Sequence, residues 1–296
     1  MRRLMKIALL YGGPSAEREV SLTSGKAVEV ALHALGYEVI PIDAGEDVAT
    51  QLQALKPDAA FNALHGRFGE DGCVQGILEW LKIPYTHSGV LASALAMDKP
   101  AAKRIFQSVG LRCASGGVFS AEQILSGDVI GRPYVIKPLN EGSSVGVSII
   151  QDGDVLPQGL TGDYLVEAYI AGREIQVAVL DDEALGAIEL VTKNKFYDYE
   201  AKYTAGVTEH LMPAPLMPEQ YREVLELGLR AHRALGCRGL TRTDFRLSEA
   251  GEFYILETNT QPGMTPLSLA PEIAAHKGIS FNELVDRLIR GARLDG

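Results

Sequence analysis

Cysteine is scarce in this sequence, and nothing pairs it. Cys73, Cys113 and Cys237 are the three present, an odd count at wide spacings with no C-x-x-C. That argues against a disulfide framework and against a zinc knuckle, and it points to a reducing, cytoplasmic compartment. Long apolar runs are missing too: no stretch approaches the roughly 20 residues that span a bilayer. Met1-Arg2-Arg3 is basic, but the apolar run Ile7 to Tyr11 is too short for a signal-peptide core and stops at Gly12-Gly13-Pro14. It reads as a first buried strand. Positive charge is in deficit: 28 Lys and Arg stand against 38 Asp and Glu, a net charge of −10. Such a chain repels phosphate backbones, which argues against nucleic acid as a partner. An anionic ligand must then be met by a local cluster of Lys and Arg.

The familiar phosphate-binding motifs are also absent. There is no G-x-x-x-x-G-K-[ST]. Ser24-Gly25-Lys26 is its nearest echo, but Ala27 replaces the required hydroxyl and Val20 stands where the first glycine belongs. No G-x-G-x-x-G and no H-E-x-x-H occur. If ATP binds here, it binds by another scheme.

What remains is an ordinary globular composition, 46% hydrophobic and 22% charged over 296 residues, enough for two or three subdomains. The first 95 or so residues alternate strand and helix patterns, as a parallel α/β layer does. Lys6–Tyr11, Tyr37–Ile42 and Ala59–Leu64 are strand-like; Ser21–Leu35, Val48–Leu55 and Cys73–Leu81 are helical. Beyond residue 98 the pattern becomes α+β. Pro100–Val109 is helical, and Tyr134–Ile136 and Val145–Ile150 are strands joined by a glycine-rich turn. Leu165–Tyr169 and Glu174–Leu180 are expected to extend that sheet. Residues 193–218 form a long polar, aromatic loop, of the kind that usually serves function. Pro218–Leu235 is helical, Leu240–Leu247 and Glu252–Thr258 are strands, and Ser280-Phe281-Asn282-Glu283 is a capping box opening a last helix.

Glu257 and Asn259 end an apolar strand two residues apart, so both point to one face. Arg242 and Asp244 have the same spacing on another strand. If the two strands pair, Asp244, Glu257 and Asn259 converge as hard oxygen ligands suited to Mg²⁺ with nucleotide phosphates, beside a charge-stabilising Arg242. Taken singly, each strand reads rather as a solvated strand end with an ion pair; the two together favour the metal site. A strand delivers Lys137 into Gly142-Ser143-Ser144-Val145-Gly146, whose backbone N–H groups can cradle phosphate. That loop also fits G-x-S-x-G, but a β-type run follows it where a nucleophile elbow needs a helix. Tyr197 to Tyr203 mixes charge with aromatics, as a closing lid does or as an ordinary surface loop does. Glu17, after the first strand, is placed either to meet an ammonium or to favour a helix N-terminus. His65 sits in a glycine-rich loop after the third strand.

Together GGPSAEREVSL, ALHGRFGEDG, SALAMDK, KPLNEGSSVGVS, YDYEAKY and LETNTQPGMTPLS, in that order over nearly the whole chain, resemble the D-alanine–D-alanine ligases of the ATP-grasp superfamily. The resemblance implies an N-terminal α/β domain (1–97), a central ATP-grasp subdomain (98–180) and a C-terminal one (181–296) with a lid at 193–213. It implies ATP with two Mg²⁺ ions, for which Mn²⁺ can substitute, and it makes Asp244, Glu257 and Asn259 the metal ligands. Lys99, Lys137 and Lys202 become phosphate contacts. Glu167 accepts from the adenine amino group, Tyr169 and Ile170 line its pocket, and Glu174 holds the ribose. Glu17 binds the first D-alanine's ammonium with Ser143 and Tyr203 as hydrogen-bonded partners. Arg242 and the Gly263 N–H stabilise a tetrahedral intermediate, Ser268 contacts the second D-alanine, and His65 lies on the substrate side. D-alanyl-D-alanine for peptidoglycan would form through a D-alanyl phosphate. A homodimer with no membrane partner is also implied. Rival readings are a D-alanine–D-lactate ligase, against which the intact YDYEAKY argues, a serine hydrolase at Ser144, and a non-catalytic nucleotide-binding protein.

Overall fold

Strands that are apolar on both faces need cover on both sides, and a helix between each pair supplies it. The computed structural model of the chain describes residues 4–140, 142, 146–192 and 208–295. Its first layer is a parallel sheet of β1 (Lys6–Tyr11), β2 (Glu38–Asp43) and β3 (Ala59–Asn62), in the order β2-β1-β3. Ile7 to Leu10 of the central strand are fully buried. Helices α1 (Arg18–Ala34), α2 (Val48–Leu55) and α3 (Cys73–Leu81) connect the strands and lead on to Tyr85, which adds a single parallel bridge beside Ala60.

Two helices that the sequence merges into one stretch follow: α4 (Val90–Met97) and α5 (Lys99–Ser108). Asp98 separates them by capping α5, its side chain accepting from Ala101 N at 2.8 Å. Next come β4 (Gly116–Ser120), α6 (Ala121–Leu125), β5 (Tyr134–Pro138), β6 (Ser148–Ile150) and β7 (Asp163–Ala168). They form an antiparallel sheet ordered β4-β7-β5-β6 with α6 on β4. The second antiparallel sheet comprises β8 (Gly172–Leu180), β9 (Glu183–Thr192), β10 (Thr208–Leu211), β11 (Leu240–Ser248) and β12 (Phe253–Asn259), ordered β10-β9-β8-β11-β12. Helices α7 (Pro218–Ala234), α8 (Leu269–His276) and α9 (Phe281–Arg290) complete the chain.

Glu174–Leu180 does not extend the sheet containing Leu165. Its strand, β8, pairs with β9 and β11, so the two sheets part between Ala168 and Gly172. Alternation of apolar residues marks a strand without naming its neighbours, which is why the sequence misassigns it. The capping box at Ser280 is half present: its hydroxyl accepts from Glu283 N at 3.3 Å.

One core joins the ends of the chain. Ile7, Leu9 and Phe61 of the parallel layer pack in a single cluster with Leu180, Ile188, Ile273 and Leu288 of the C-terminal part. At roughly 1.5–3 kcal/mol for each fully buried aliphatic side chain, this cluster fixes the first sheet against β8, β9, α8 and α9. Among the described residues no helix is long and apolar enough to cross a membrane.

Candidate active site

β11 and β12 pair antiparallel, with Asp244 opposite Glu257 and Arg242 opposite Asn259. The convergence that the spacing required is therefore present. Directly opposed residues share a face, so these four side chains lie together. Thr243 and Thr258 face the other way and hydrogen-bond to each other at 3.0 Å in the interior. Arg242 grips Asp244 with both arms of its guanidinium, Nε to Oδ1 at 2.8 Å and Nη2 to Oδ2 at 2.9 Å. Such a fork fixes the direction of both groups. Among the described residues no three His, Cys, Asp or Glu side chains converge as a ready-made metal cluster. The donor set here holds two carboxylates and an amide instead. The Asn259 amide nitrogen is buried without a hydrogen-bond partner among the described residues, so the amide can turn its oxygen toward a cation at no cost in hydrogen bonds.

Arg242, Glu257 and Asn259 open onto a cleft of about 510 Å³, which Glu17, His65, Gly263 and Ser268 also line. Glu17 stands at the N-cap of α1 but its side chain does not cap the helix. It is 9% exposed and held between two glycines. A Cβ on Gly66 would fall 2.6 Å from Glu17 Oε2, and one on Gly142 would fall 2.7 Å from it. Only glycine leaves the carboxylate its place. His65 places Nε2 at 3.2 Å from Ser24 Oγ and Nδ1 at 3.6 Å from Glu70 Oε1. Ser24 in turn accepts from Met264 N at 3.2 Å, and Gln261 donates to the Leu64 carbonyl. These bonds tie the parallel layer to the segment carrying Gly263. Ser268 accepts from Thr265 N at 3.1 Å and leaves the first turn of α8 without a side-chain cap.

A second group of expected residues lies on the central sheet. Lys137 and Glu167 occupy one face of the β5–β7 pair, two positions apart. Lys137 Nζ donates to Glu167 Oε2 at 2.9 Å, and Lys103 Nζ donates to Oε1 at 2.6 Å. Burial pushes the Glu167 carboxyl up, but Lys137 and Lys103 outweigh it and hold the group below the usual carboxylate range. Lys99 opens α5 one turn before Lys103, its backbone N–H donating to Leu139 O at 3.3 Å.

Tyr169, Ile170 and Glu174 surround Arg246. Its guanidinium carbon lies 5.9 Å from the Tyr169 ring centroid, its Nε donates to Ile170 O at 3.1 Å, and Nη1 is 3.5 Å from Glu174 Oε2. Ser143, Lys202 and Tyr203 lie outside the described residues, as do Ser144 and the stretch from Tyr197 to Tyr203.

Sequence reasoning missed Lys103, Arg246 and the pair His210–Glu272, in which His210 Nδ1 is 2.7 Å from Glu272 Oε2. Lys103 stands one helical turn from Lys99, and Arg246 continues the alternation Arg242, Asp244, so both left a periodic signal. His210 and Glu272 are 62 residues apart and left none.

The chain matches the D-ala D-ala ligase C-terminus family model over residues 119–290 and the N-terminus model over residues 43–88. A D-alanine–D-alanine ligase of Parvibaculum lavamentivorans is 52% identical, with all of both chains covered. One from Ruegeria pomeroyi is 52% identical over 98% of this chain and 97% of its own. The crystal structure of a D-alanine–D-alanine ligase from Bacillus anthracis superimposes with a TM-score of 0.83 at 34% identity, covering 97% of this chain and 96% of that one. Its complex with ATP gives 0.81 at 33% identity with the same coverage. The D-Ala:D-Ser ligase VanG of Enterococcus faecalis gives 0.80 at 28% identity, covering 97% and 99%. Full-length identity above half and a shared fold with the ATP-grasp ligases leave one conclusion: the chain belongs to the D-alanine–D-alanine ligase family.

Proposed function

We propose that this protein joins two D-alanine molecules into D-alanyl-D-alanine, a peptidoglycan precursor, with ATP converted to ADP and phosphate. The observation that carries this reading is the single cleft in which Glu17, Arg242, Glu257, Asn259, Gly263 and Ser268 meet. Glu17 presents a carboxylate to the ammonium of the first D-alanine. That orients the substrate carboxylate toward the γ-phosphate and makes phosphoryl transfer effectively intramolecular. The product of that step is a D-alanyl phosphate. Attack by the second D-alanine's amine forms the C–N bond through a tetrahedral intermediate, and the C–O bond to phosphate breaks. Arg242 and the Gly263 N–H face the oxyanion of that intermediate. Ser268 contacts the second D-alanine. Lys137 and Lys99 meet the phosphates of ATP, Glu167 accepts from the adenine amino group, Tyr169 and Ile170 flank the base and Glu174 holds the ribose. Ser143, Lys202 and Tyr203 keep the roles that the resemblance implies.

The oxygen-rich set Asp244, Glu257 and Asn259 suits Mg²⁺, which when bound would neutralise the charge of the β- and γ-phosphates. The subdomains are read as 1–97, 98–180 and 181–296, with the second boundary best moved to the break between β7 and β8. The cytoplasm is the proposed compartment. A homodimer is the proposed assembly, which light scattering checks directly.

The assay is phosphate release from ATP and Mg²⁺ with D-alanine, with L-alanine, and with D-alanine plus D-lactate or D-serine, products identified by mass. Dipeptide from D-alanine alone is the expected result. Preferential ester or D-alanyl-D-serine would keep the chemistry and change the second substrate. No ATP turnover with any of them would overturn the reading.

A further inference from the structure

Two lysines of α5 stand one helical turn apart on one face, Lys99 at its first position and Lys103. Lys99 is read as a phosphate contact, and Lys103 takes no part in the reaction above. Its ammonium is nevertheless turned inward. The side chain is 14% exposed, and Nζ donates to Glu167 Oε1 at 2.6 Å while Lys137 Nζ takes Oε2 at 2.9 Å. The helix that carries Lys103 is anchored to the second antiparallel sheet. Ala102 and Phe106 pack in one core with Ile175 and Val177 of β8 and Ile255 of β12. The chain after α5 is tied to the same strand, Ile255 N donating to Arg112 O at 2.9 Å. Glu167 stands on β7, in the other antiparallel sheet. The ion pair thus spans the two sheets. A buried ion pair is a poor device for stability alone, since apolar residues of similar volume often do as well. It is a better device for holding a charge in place.

Two cations on one carboxylate have separable duties. Lys137 is also read as a phosphate contact, so its ammonium is divided between Glu167 and the phosphates. When phosphate draws on Lys137, the charge of Glu167 is balanced by Lys103. Without that partner a buried carboxylate is neutralised by taking up a proton. An ionised carboxylate only accepts hydrogen bonds, whereas a protonated one also donates. The difference decides which base fits. Adenine presents an amino group, a donor, at its position 6; hypoxanthine and guanine present a carbonyl oxygen there, an acceptor.

We propose that Lys103 sets the nucleotide selectivity of the site, by holding Glu167 as a fixed, acceptor-only carboxylate that admits a 6-amino purine and rejects a 6-oxo purine. The inference rests on the reading of Glu167 as the acceptor for adenine. Lys103 acts through Glu167, so it is a positioning residue.

ITP is the probe, because it differs from ATP only in the 6-substituent and the proton on the adjacent ring nitrogen. The full-length protein is given Mg²⁺ and D-alanine with ATP or ITP, and phosphate release yields kcat and KM for each nucleotide from mildly acidic to mildly alkaline pH. Lys103→Met is expected to lower the ATP-over-ITP ratio of kcat/KM about tenfold at pH 7, the worth of one charged hydrogen bond, chiefly through the KM for ATP. The ratio should fall further as pH falls, because burial then lifts the Glu167 carboxyl with one cation fewer to oppose it. In the unaltered protein the ratio should be level across that range. Lys103→Arg keeps the cation and should restore the preference. Lys103→Gln keeps an N–H toward Glu167 without the charge, should behave as Lys103→Met, and serves in its place where Lys103→Met does not fold. A ratio in these two uncharged variants equal to that of the unaltered protein, or equal losses with ATP and ITP at every pH, overturns the proposal. Glu167→Gln separates this outcome from failure of the adenine reading. If Glu167→Gln leaves the ratio unchanged, Glu167 does not meet the base, and reading and proposal fall together. If it lowers the ratio while the Lys103 variants do not, the proposal alone falls.

Discussion

Glu167→Gln isolates the electrostatics of the proposed adenine site. The substitution keeps the shape of the side chain and removes its charge. In the native protein two lysines, 14% and 15% exposed, converge on this one carboxylate at 2.6 and 2.9 Å. A neutral amide offers one acceptor, and its nitrogen would face a second ammonium, donor against donor. Two lysine cations are then left close together in a poorly solvated place. A charged hydrogen bond is worth about 1.5–3 kcal/mol and a broken buried pair about 3–5 kcal/mol, so partial exposure sets the expected loss at roughly 2–3 kcal/mol. For a chain of this size that is roughly 5–10 °C in apparent unfolding temperature. The pH dependence has a definite sign. Lys137 and Lys103 hold the folded-state carboxyl below its unfolded value. Its contribution is therefore complete above about pH 4.3 and is lost as pH falls further. The stability gap between native and variant should be full at pH 7 and close below about pH 4. Adding Lys103→Met to the variant should recover part of the loss, because one stranded cation is removed. Thermal and urea unfolding measure all three quantities, and the KM for ATP should rise about tenfold, near 1.4 kcal/mol. Equal stability of native protein and Glu167→Gln at pH 7 would refute the reasoning.

Other perturbations follow from the same geometry. Gly142→Ala puts a methyl 2.7 Å from Glu17 Oε2. It should raise the KM for the first D-alanine about tenfold and leave circular dichroism unchanged, and an unaltered KM would show that Glu17 does not hold the substrate. Chelation of divalent cations should abolish phosphate release. Glu257→Gln should raise the Mg²⁺ concentration needed for half activity, a shift that titration of activity with Mg²⁺ reads directly. Burial pushes His87 down to about 3. The unfolded chain then takes up this proton from about pH 6.5 downward while the folded chain does not, so stability should decline as pH falls through that window. His87→Asn, which tolerates the backbone φ of +68°, should flatten the decline in urea unfolding measured from pH 7 to pH 5.

The parallel layer was legible in the sequence because its strands are short, apolar and bounded by turns. Val48–Leu55 and Cys73–Leu81 match the expected helices residue for residue. Asp244, Glu257 and Asn259 were legible as a set because a period of two fixes which side chains share a face, and pairing of β11 with β12 did the rest. Strand partnership was not legible: nothing local in Glu174–Leu180 says that it joins β9 and β11 instead of β7. The lysine pair on Glu167 was half legible, since Lys103 repeats Lys99 at one helical turn but its partner lies 64 residues away. His210 and Glu272 meet only because β10 and α8 border the same cleft. Contacts of that range are made by the fold and leave no periodicity to read.

In the proposed reaction the first D-alanine is activated as an acyl phosphate in the cleft beside Arg242. Supplying D-alanine labelled with ¹⁸O in its carboxylate, together with ATP and Mg²⁺, tests it most directly. Each released phosphate should carry one labelled oxygen, recovered alongside D-alanyl-D-alanine. Dipeptide formed with unlabelled phosphate would contradict it.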